Sequence, residues 1–247
     1  MKAELGDRPG ALEFSGPDAV RFLNGQVTQD VRKVMGTGLV LPSCVTDAKG
    51  RLQFRVWIAE GCGGVLVICR EGMAEDLEAR LTRYLIADDV EVRDVSDKFR
   101  IGDFAIPEMD EAERIAKGIP KWGAELKEGM LPPEAGLDAT DISYNKGCYI
   151  GQEVISRIKS AGKVNRRLTK FVFESEGKTG EITDAEGKVC GEVTSVSGKF
   201  GLGYLKRGVE ENAALTAGGV PVRVPLPLGK FPLPSEASAS MLPPHDF

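Results

Sequence analysis

The last third of the chain constrains the fold most tightly. After Arg166, short apolar runs at 168–173, 188–195, 200–205 and 220–224 are separated by glycine-rich turns. Each run has the length of a strand, and regular spacing of this kind predicts a small antiparallel β-barrel. Upstream the pattern mixes both periods. Residues 11–14 read as a short strand. In Ser15-Gly16-Pro17-Asp18, Ser15 or Gly16 can cap and Pro17 can open a helix through Ala19, Val20 and Leu23 that Gly25-Gln26 breaks. Runs at 39–46 and 51–58 flank Asp47-Ala48-Lys49-Gly50, a turn sequence, and the second arm alternates through Leu52, Phe54, Val56 and Ile58, so the pair predicts a hairpin. A strand at 63–70 follows. Met73, Leu77, Leu81, Tyr84 and Leu85 then recur at helical spacing. Strands near 90–92 and 100–105, irregular pieces over 106–147, and a short helix over 151–158 with Val154, Ile155 and Ile158 on one side complete this part. The class is α+β, divided at 1–163, 164–227 and a Pro- and Ser-rich tail at 228–247.

Composition removes several functions. The single histidine, His245, sits in the tail, so a Ser-His-Asp triad, a Cys-His dyad or a multi-histidine zinc site lacks material. The five cysteines, Cys44, Cys62, Cys69, Cys148 and Cys190, include no C-x-x-C pair, and no intrinsic metal is expected. An odd number of cysteines in a chain this long fits reduced thiols in a cytoplasm. Lys and Arg number 32 against 37 Asp and Glu, a net charge of −5, which disfavours direct nucleic-acid binding. No run is long enough to span a bilayer, and MKAELGDRPG has neither an apolar signal core nor an Arg-rich transit composition. Two nucleotide fingerprints fail: Lys206 stands where the third glycine of G-x-G-x-x-G belongs, and Val172 where the first P-loop glycine belongs.

One segment concentrates chemistry. Lys146-Gly147-Cys148-Tyr149-Ile150-Gly151-Gln152-Glu153 places a cation, a thiol, an amide and a carboxylate beside a helix start. Glycine permits close backbone approach, and a cysteine near a helix N-terminus and a lysine has its thiolate favoured. A small buried cysteine with Gln152 and Glu153 capping the first turn is the bland alternative. The remaining cysteines fall in strand-like runs and read as core.

This octapeptide resembles the signature of the YgfZ family, folate-binding proteins related to the glycine-cleavage T-protein. Further segments resemble the family in order: Phe22-Leu23-Asn24-Gly25-Gln26-Val27-Thr28-Gln29-Asp30, Asp47-Ala48-Lys49-Gly50-Arg51, the stretch from Arg114 to Gly123, Leu131-Pro132-Pro133-Glu134-Ala135-Gly136-Leu137, and Asn165-Arg166-Arg167-Leu168. The resemblance implies a T-protein-like fold, with ferredoxin-like α+β pieces around a folate-sized cavity and a small β-barrel after them. It also implies a function: tetrahydrofolate-linked support of iron–sulfur enzymes, including one that modifies tRNA. The implied partners are iron–sulfur client proteins or assembly factors.

Within that frame Cys148 is the candidate reactive thiol. Gln26, Asp30, Trp122, Glu134, Lys146, Gly147, Tyr149, Gln152, Glu153 and Arg157 are candidate cofactor contacts. Lys146 would meet the glutamate tail of a folate, against a solvated lysine as the alternative. Trp122 would offer a flat face to a pterin, Asp30 could instead cap a turn, and Arg157 stands i,i+4 from Glu153. Two departures carry weight. The transferase has an acidic pair after the glycine turn; those positions here hold Phe54 and Arg55, which argues against aminomethyl transfer. Ala116 stands where the family carries a Glu suited to grip a pterin as a fork, a loss of about 1.5–3 kcal/mol in a buried pocket, with Glu113, Glu125 or Glu134 as possible substitutes. A folate-dependent transferase and a non-catalytic scaffold with a vestigial pocket are the rival readings.

Overall fold

A computed structural model describes residues 5–104, 109–162, 164–210 and 213–225; the tail, with His245, lies outside them. The chain forms two compact units that interleave along the sequence. Residues 5–104 and 137–157 make the first, and 109–136 join 158–225 in the second.

The first unit is built on a five-stranded antiparallel sheet. Its strands are β1 (Gly10–Ser15), β2 (Leu41–Thr46), β3 (Leu52–Glu60), β4 (Gly64–Cys69) and β5 (Glu91–Asp94), in the order β2-β3-β4-β1-β5. Alternation decides which side chains face which layer. Leu12, Phe14, Val56, Ile58, Val65 and Val67 pack with Leu23 of helix α1 (Ala19–Gln26) and with Leu77 and Leu81 of helix α2 (Ala74–Thr82). Ala11, Trp57, Ala59, Leu66 and Ile68 face the other way, against Val95, Ile101 and Phe104. Both faces of the sheet are therefore covered, which explains why β3 and β4 read as near-continuous apolar runs. The predicted hairpin forms: Asp47 Oδ1 accepts from the Lys49 and Arg51 amides, and Gly50 takes a φ of +70° that favours glycine.

Three local expectations are corrected. Asp18, not Ser15 or Gly16, is the first cap position of α1, and its carboxylate accepts from the Asp89 amide and the Arg21 side chain rather than from a helix amide. Gly25-Gln26 does not break α1, which runs through Gln26 because that face is buried. The strand expected at 100–105 is, over its described residues, a single 3-10 turn, Ile101–Asp103, closed by Asp103 Oδ2 accepting from the Arg100 amide.

The second unit contains the predicted barrel, closed by six antiparallel strands: β6 (Arg166–Phe173), β7 (Gly180–Thr183), β8 (Val189–Ser197), β9 (Phe200–Lys206), β10 (Leu215–Ala217) and β11 (Val220–Arg223). Strands β7 and β10 are four and three residues long, too short to register as apolar runs. Phe171, Phe173, Ile182, Val193, Leu205 and Leu215 fill the interior. Helix α3 (Glu111–Lys117) and the loop after it lie on β8 and β9. A buried polar cluster joins them. Glu125 Oε2 accepts from Arg114 Nη1 at 2.8 Å and from the Lys121 amide, and its Oε1 accepts from Thr194 and Ser195 hydroxyls, each at 2.6 Å. The Tyr204 hydroxyl donates to the Glu125 carbonyl, and Arg114 Nη2 donates to Ser195 Oγ. A carboxylate this buried is tolerable because every lone-pair direction is met by a donor. Helix α4 (Gln152–Ala161) leads into the barrel sequence. Among the described residues no helix is long and apolar enough to cross a membrane.

Removing Glu125 leaves the buried Arg114 guanidinium with the partly exposed Glu111 as its remaining carboxylate, and strands the Lys121 amide and the Thr194 and Ser195 hydroxyls. Glu125→Ala is expected to destabilise the barrel unit by about 3–5 kcal/mol, and Glu125→Gln by less, because the amide keeps an acceptor. Urea denaturation followed by Trp122 fluorescence in a Trp57→Phe background measures it.

Candidate functional site

Three sequence-distant segments converge within the first unit. The turn after α1 runs through Val27, Thr28, Gln29 and Asp30, where Thr28 is fully buried. Its polar groups are met from β2 on one side and from residues 140–150 on the other. The Thr28 hydroxyl donates to the Asp141 carbonyl at 2.7 Å and accepts from the Cys44 amide at 2.8 Å. The Thr28 carbonyl accepts from the Ser143 amide, and Gln29 Nε2 donates to the Thr140 carbonyl. Farther along, the Ile150 amide donates to the Gly25 carbonyl, and the Thr46 hydroxyl donates to the Ile150 carbonyl at 2.6 Å. The hairpin tip supplies the third side. A Cβ placed on Gly151 would stand 2.5 Å from the Asp47 carbonyl oxygen and 2.8 Å from Gly50 Cα, and Gly151 itself holds a φ of +88°. Glycine at 151 is thus required twice, by contact and by conformation.

On this frame residues 146–149 alternate in depth. Lys146 and Tyr149 are buried, while Gly147 and Cys148 are exposed. Lys146 is not a solvated lysine, and its ammonium does not present itself to an acidic ligand. Nζ donates to the Val27 carbonyl at 2.7 Å and the Gln29 carbonyl at 2.8 Å, and it lies 5.2 Å from the Tyr149 ring centroid. The Tyr149 hydroxyl is buried with no hydrogen-bond partner among the described residues. Gln152 and Glu153 behave as the capping alternative has it for one and not the other. Gln152 Oε1 accepts from the Tyr149 amide, whereas Glu153 pairs with Arg157 at 2.7 Å on the exposed side of α4. Gln26 is buried, with Oε1 accepting from Arg80 Nη1 at 3.4 Å. Asp30 caps a turn: it accepts from the Arg32 amide and binds the Arg32 guanidinium through both oxygens.

The remaining expectations fall in the second unit or are revised. Trp122 is half-buried, and Glu134 is held by Arg166 Nε at 2.9 Å, so it is not a free fork for a pterin. Glu125 is saturated by four donors, and Glu113 pairs with Lys117. Ala116 is exposed on α3, so a glutamate there would stand in solvent rather than in a buried pocket. Cys44, Cys69 and Cys190 are buried, and burial pushes the Cys69 thiol up to about 12. Cys62 is exposed, contrary to its reading as core, because Gly61-Cys62-Gly63 lies in the tight turn between β3 and β4. Arg55 was missed as a site element. It forms a buried two-bond pair with Asp141, Nε to Oδ2 at 2.7 Å, and lies over the Trp57 ring. Its position in an alternating strand hid the pairing. Among the described residues no group of three or more His, Cys, Asp or Glu is placed to hold a metal ion.

Burial pulls the Lys146 amine down to about 7; the charge of Asp30 opposes this and that of Arg32 adds to it. The unfolded chain holds the lysine proton up to about 10.5. Between these values the unfolded state binds more protons, so this group makes the fold more stable as pH rises through that window. Wild-type stability relative to Lys146→Met is expected to climb by roughly 2 kcal/mol from pH 6 to pH 9. Parallel urea denaturation of both proteins at the two pH values measures it.

Residues 165–228 match the family described as CAF17, C-terminal beta-barrel domain. The tRNA-modifying protein YgfZ of Hamiltonella defensa is 25% identical over 239 residues, which cover 71% of this chain and 70% of the relative. The mitochondrial iron–sulfur cluster assembly factor IBA57 of Mus musculus is 34% identical over 103 residues, 38% of this chain and 28% of the relative. Across curated relatives the matched segment spans 16% to 84% of the relative's own length. In fold, the chain is similar to the glycine cleavage system aminomethyltransferase T of Bartonella henselae, with a TM-score of 0.71 at 14% identity, covering 88% of this chain and 83% of that one. A barrel matching the CAF17 C-terminal model, a T-protein-like fold and relatives named YgfZ and IBA57 coincide on one sequence, which is similar to the YgfZ/CAF17 family.

Proposed function

We propose that the chain is a cytoplasmic accessory protein that supports assembly or repair of iron–sulfur clusters, and through them iron–sulfur-dependent tRNA modification, with Cys148 as its reactive thiol. The observation that carries this reading is the convergence of three motif segments on a loop whose outward member is Cys148. A buried, desolvated thiol such as Cys69 is inert toward a partner; an exposed one on a fixed loop is not. One thiol cannot hold a cluster that takes about four protein ligands, so the remaining ligands come from an assembly factor or a client protein. The names of the relatives point to the same process.

Tetrahydrofolate is the small ligand that the T-protein fold suggests. The carboxylates expected to grip its pterin do not fit that task, since Glu113, Glu125 and Glu134 are each engaged by cations or hydroxyls. No chemical step is therefore routed through folate. Aminomethyl transfer is disfavoured as well, because Arg55 stands at the expected acidic position and is closed in an ion pair with Asp141.

Two experiments test the reading. In a cell lacking its own family member, Cys148→Ala is expected to abolish complementation while Cys62→Ala, another exposed thiol outside the convergent loop, retains it. Equal activity of the two variants removes the role of Cys148. Titration calorimetry with tetrahydrofolate is expected to show at most weak binding, because Glu113, Glu125 and Glu134 are all engaged and none is free to grip the pterin. No heat and no thermal shift at millimolar ligand would leave the fold as a scaffold for the Cys148 loop.

A further inference from the structure

The loop that carries Cys148 has no regular secondary structure between the turn at Thr140–Asp141 and helix α4. Its two ends are tied down by main-chain bonds, Ser143 amide to Thr28 carbonyl and Ile150 amide to Gly25 carbonyl. Across the middle, burial follows the order in, out, out, in for Lys146, Gly147, Cys148 and Tyr149. The inward pair touch each other, with the Lys146 amine over the Tyr149 ring, and the amine reaches two carbonyls of the facing turn. Those carbonyls belong to Val27 and Gln29, on either side of the fully buried Thr28. A loop pinned at two inward points has little freedom to rotate the residues between them.

We propose that Lys146 is a positioning residue for Cys148: its amine, bound to the carbonyls of Val27 and Gln29, anchors the middle of the loop and so holds the thiol on the outward side. This rests on the reading of Cys148 as the reactive group, and it assigns the lysine to the protein's own backbone rather than to a ligand. A lysine is suited to the task because its apolar stem can cross the layer beside Tyr149 while its head supplies several donors. Methionine preserves the stem and removes the donors. Glutamine keeps two N–H donors on a shorter stem.

Native-state amide exchange on the full chain tests the proposal independently of any cluster chemistry. In Lys146→Met, exchange at Ser143 and Ile150 is expected to accelerate about tenfold or more, while the β1–β4 ladder stays within about twofold of wild type. Lys146→Gln is expected to fall between the two, and it serves where the methionine variant fails to fold. Complementation by these variants is expected to fall in the same order, with Cys148 intact. Uniform acceleration across the sheet, or none in the loop, overturns the positioning role, as does fast local exchange with full complementation. If Cys148→Ala itself complements, the parent reading fails while the exchange result still reports whether Lys146 anchors the loop.

Discussion

The turn at 25–30 leaves helix α1 and enters the interior without becoming a strand, and its buried polar groups must still be satisfied. An unmet carbonyl or amide there would cost on the order of 1–3 kcal/mol. The chain meets the demand from two sides: from β2, through Ser43 and Cys44, and from the distant stretch 140–150, through the Asp141 and Thr140 carbonyls, the Ser143 and Ile150 amides and the Lys146 amine. That requirement dictates where the Cys148 loop sits. It also explains why Gly151 has no room for a side chain, since the hairpin tip closes against it. The exposed thiol is a product of backbone satisfaction as much as of its own chemistry.

The barrel unit solves a related problem with charge. Helix α3 and its loop lie on β8 and β9, where an apolar layer alone would have served. Instead Glu125 gathers a guanidinium, a main-chain amide and two hydroxyls, with Tyr204 donating to its carbonyl. Such a cluster contributes little net stability when complete, yet it is costly to break, so it fixes one register of loop against strand. Arg166 adds to this by bridging Glu134 and the Tyr204 ring. Carboxylates that looked available for a ligand are occupied by the architecture.

Much of the fold was legible because its signals are local. Alternation through β3 and the Asp47–Gly50 turn marked the hairpin, and the spacing of Leu77 and Leu81 marked α2. Strands β7 and β10 were missed because three or four residues carry no period, and the 3-10 turn at Ile101–Asp103 was missed because one capping carboxylate overrode a strand-like composition. Among candidate site residues, the concentration of chemistry in the Lys146–Glu153 octapeptide and the presence of the 22–30 segment were readable. The partner of each was not: Lys146, Glu134 and Arg55 all find counterparts more than thirty residues away or across a sheet.

By itself the sequence determined the class of fold, the position of the barrel, the shortage of histidine and paired cysteine, and the likeness to the YgfZ family. These depend on periodicity, composition and motif order, which are properties of neighbours along the chain. Tertiary structure alone decided that Cys148 faces solvent while Lys146 faces carbonyls, that Cys62 is exposed, and that residues 109–136 pack with the barrel rather than with the sheet that precedes them. The physical reason is that burial and hydrogen-bond satisfaction are settled between segments, where a side chain's role depends on which distant backbone group is left without a partner.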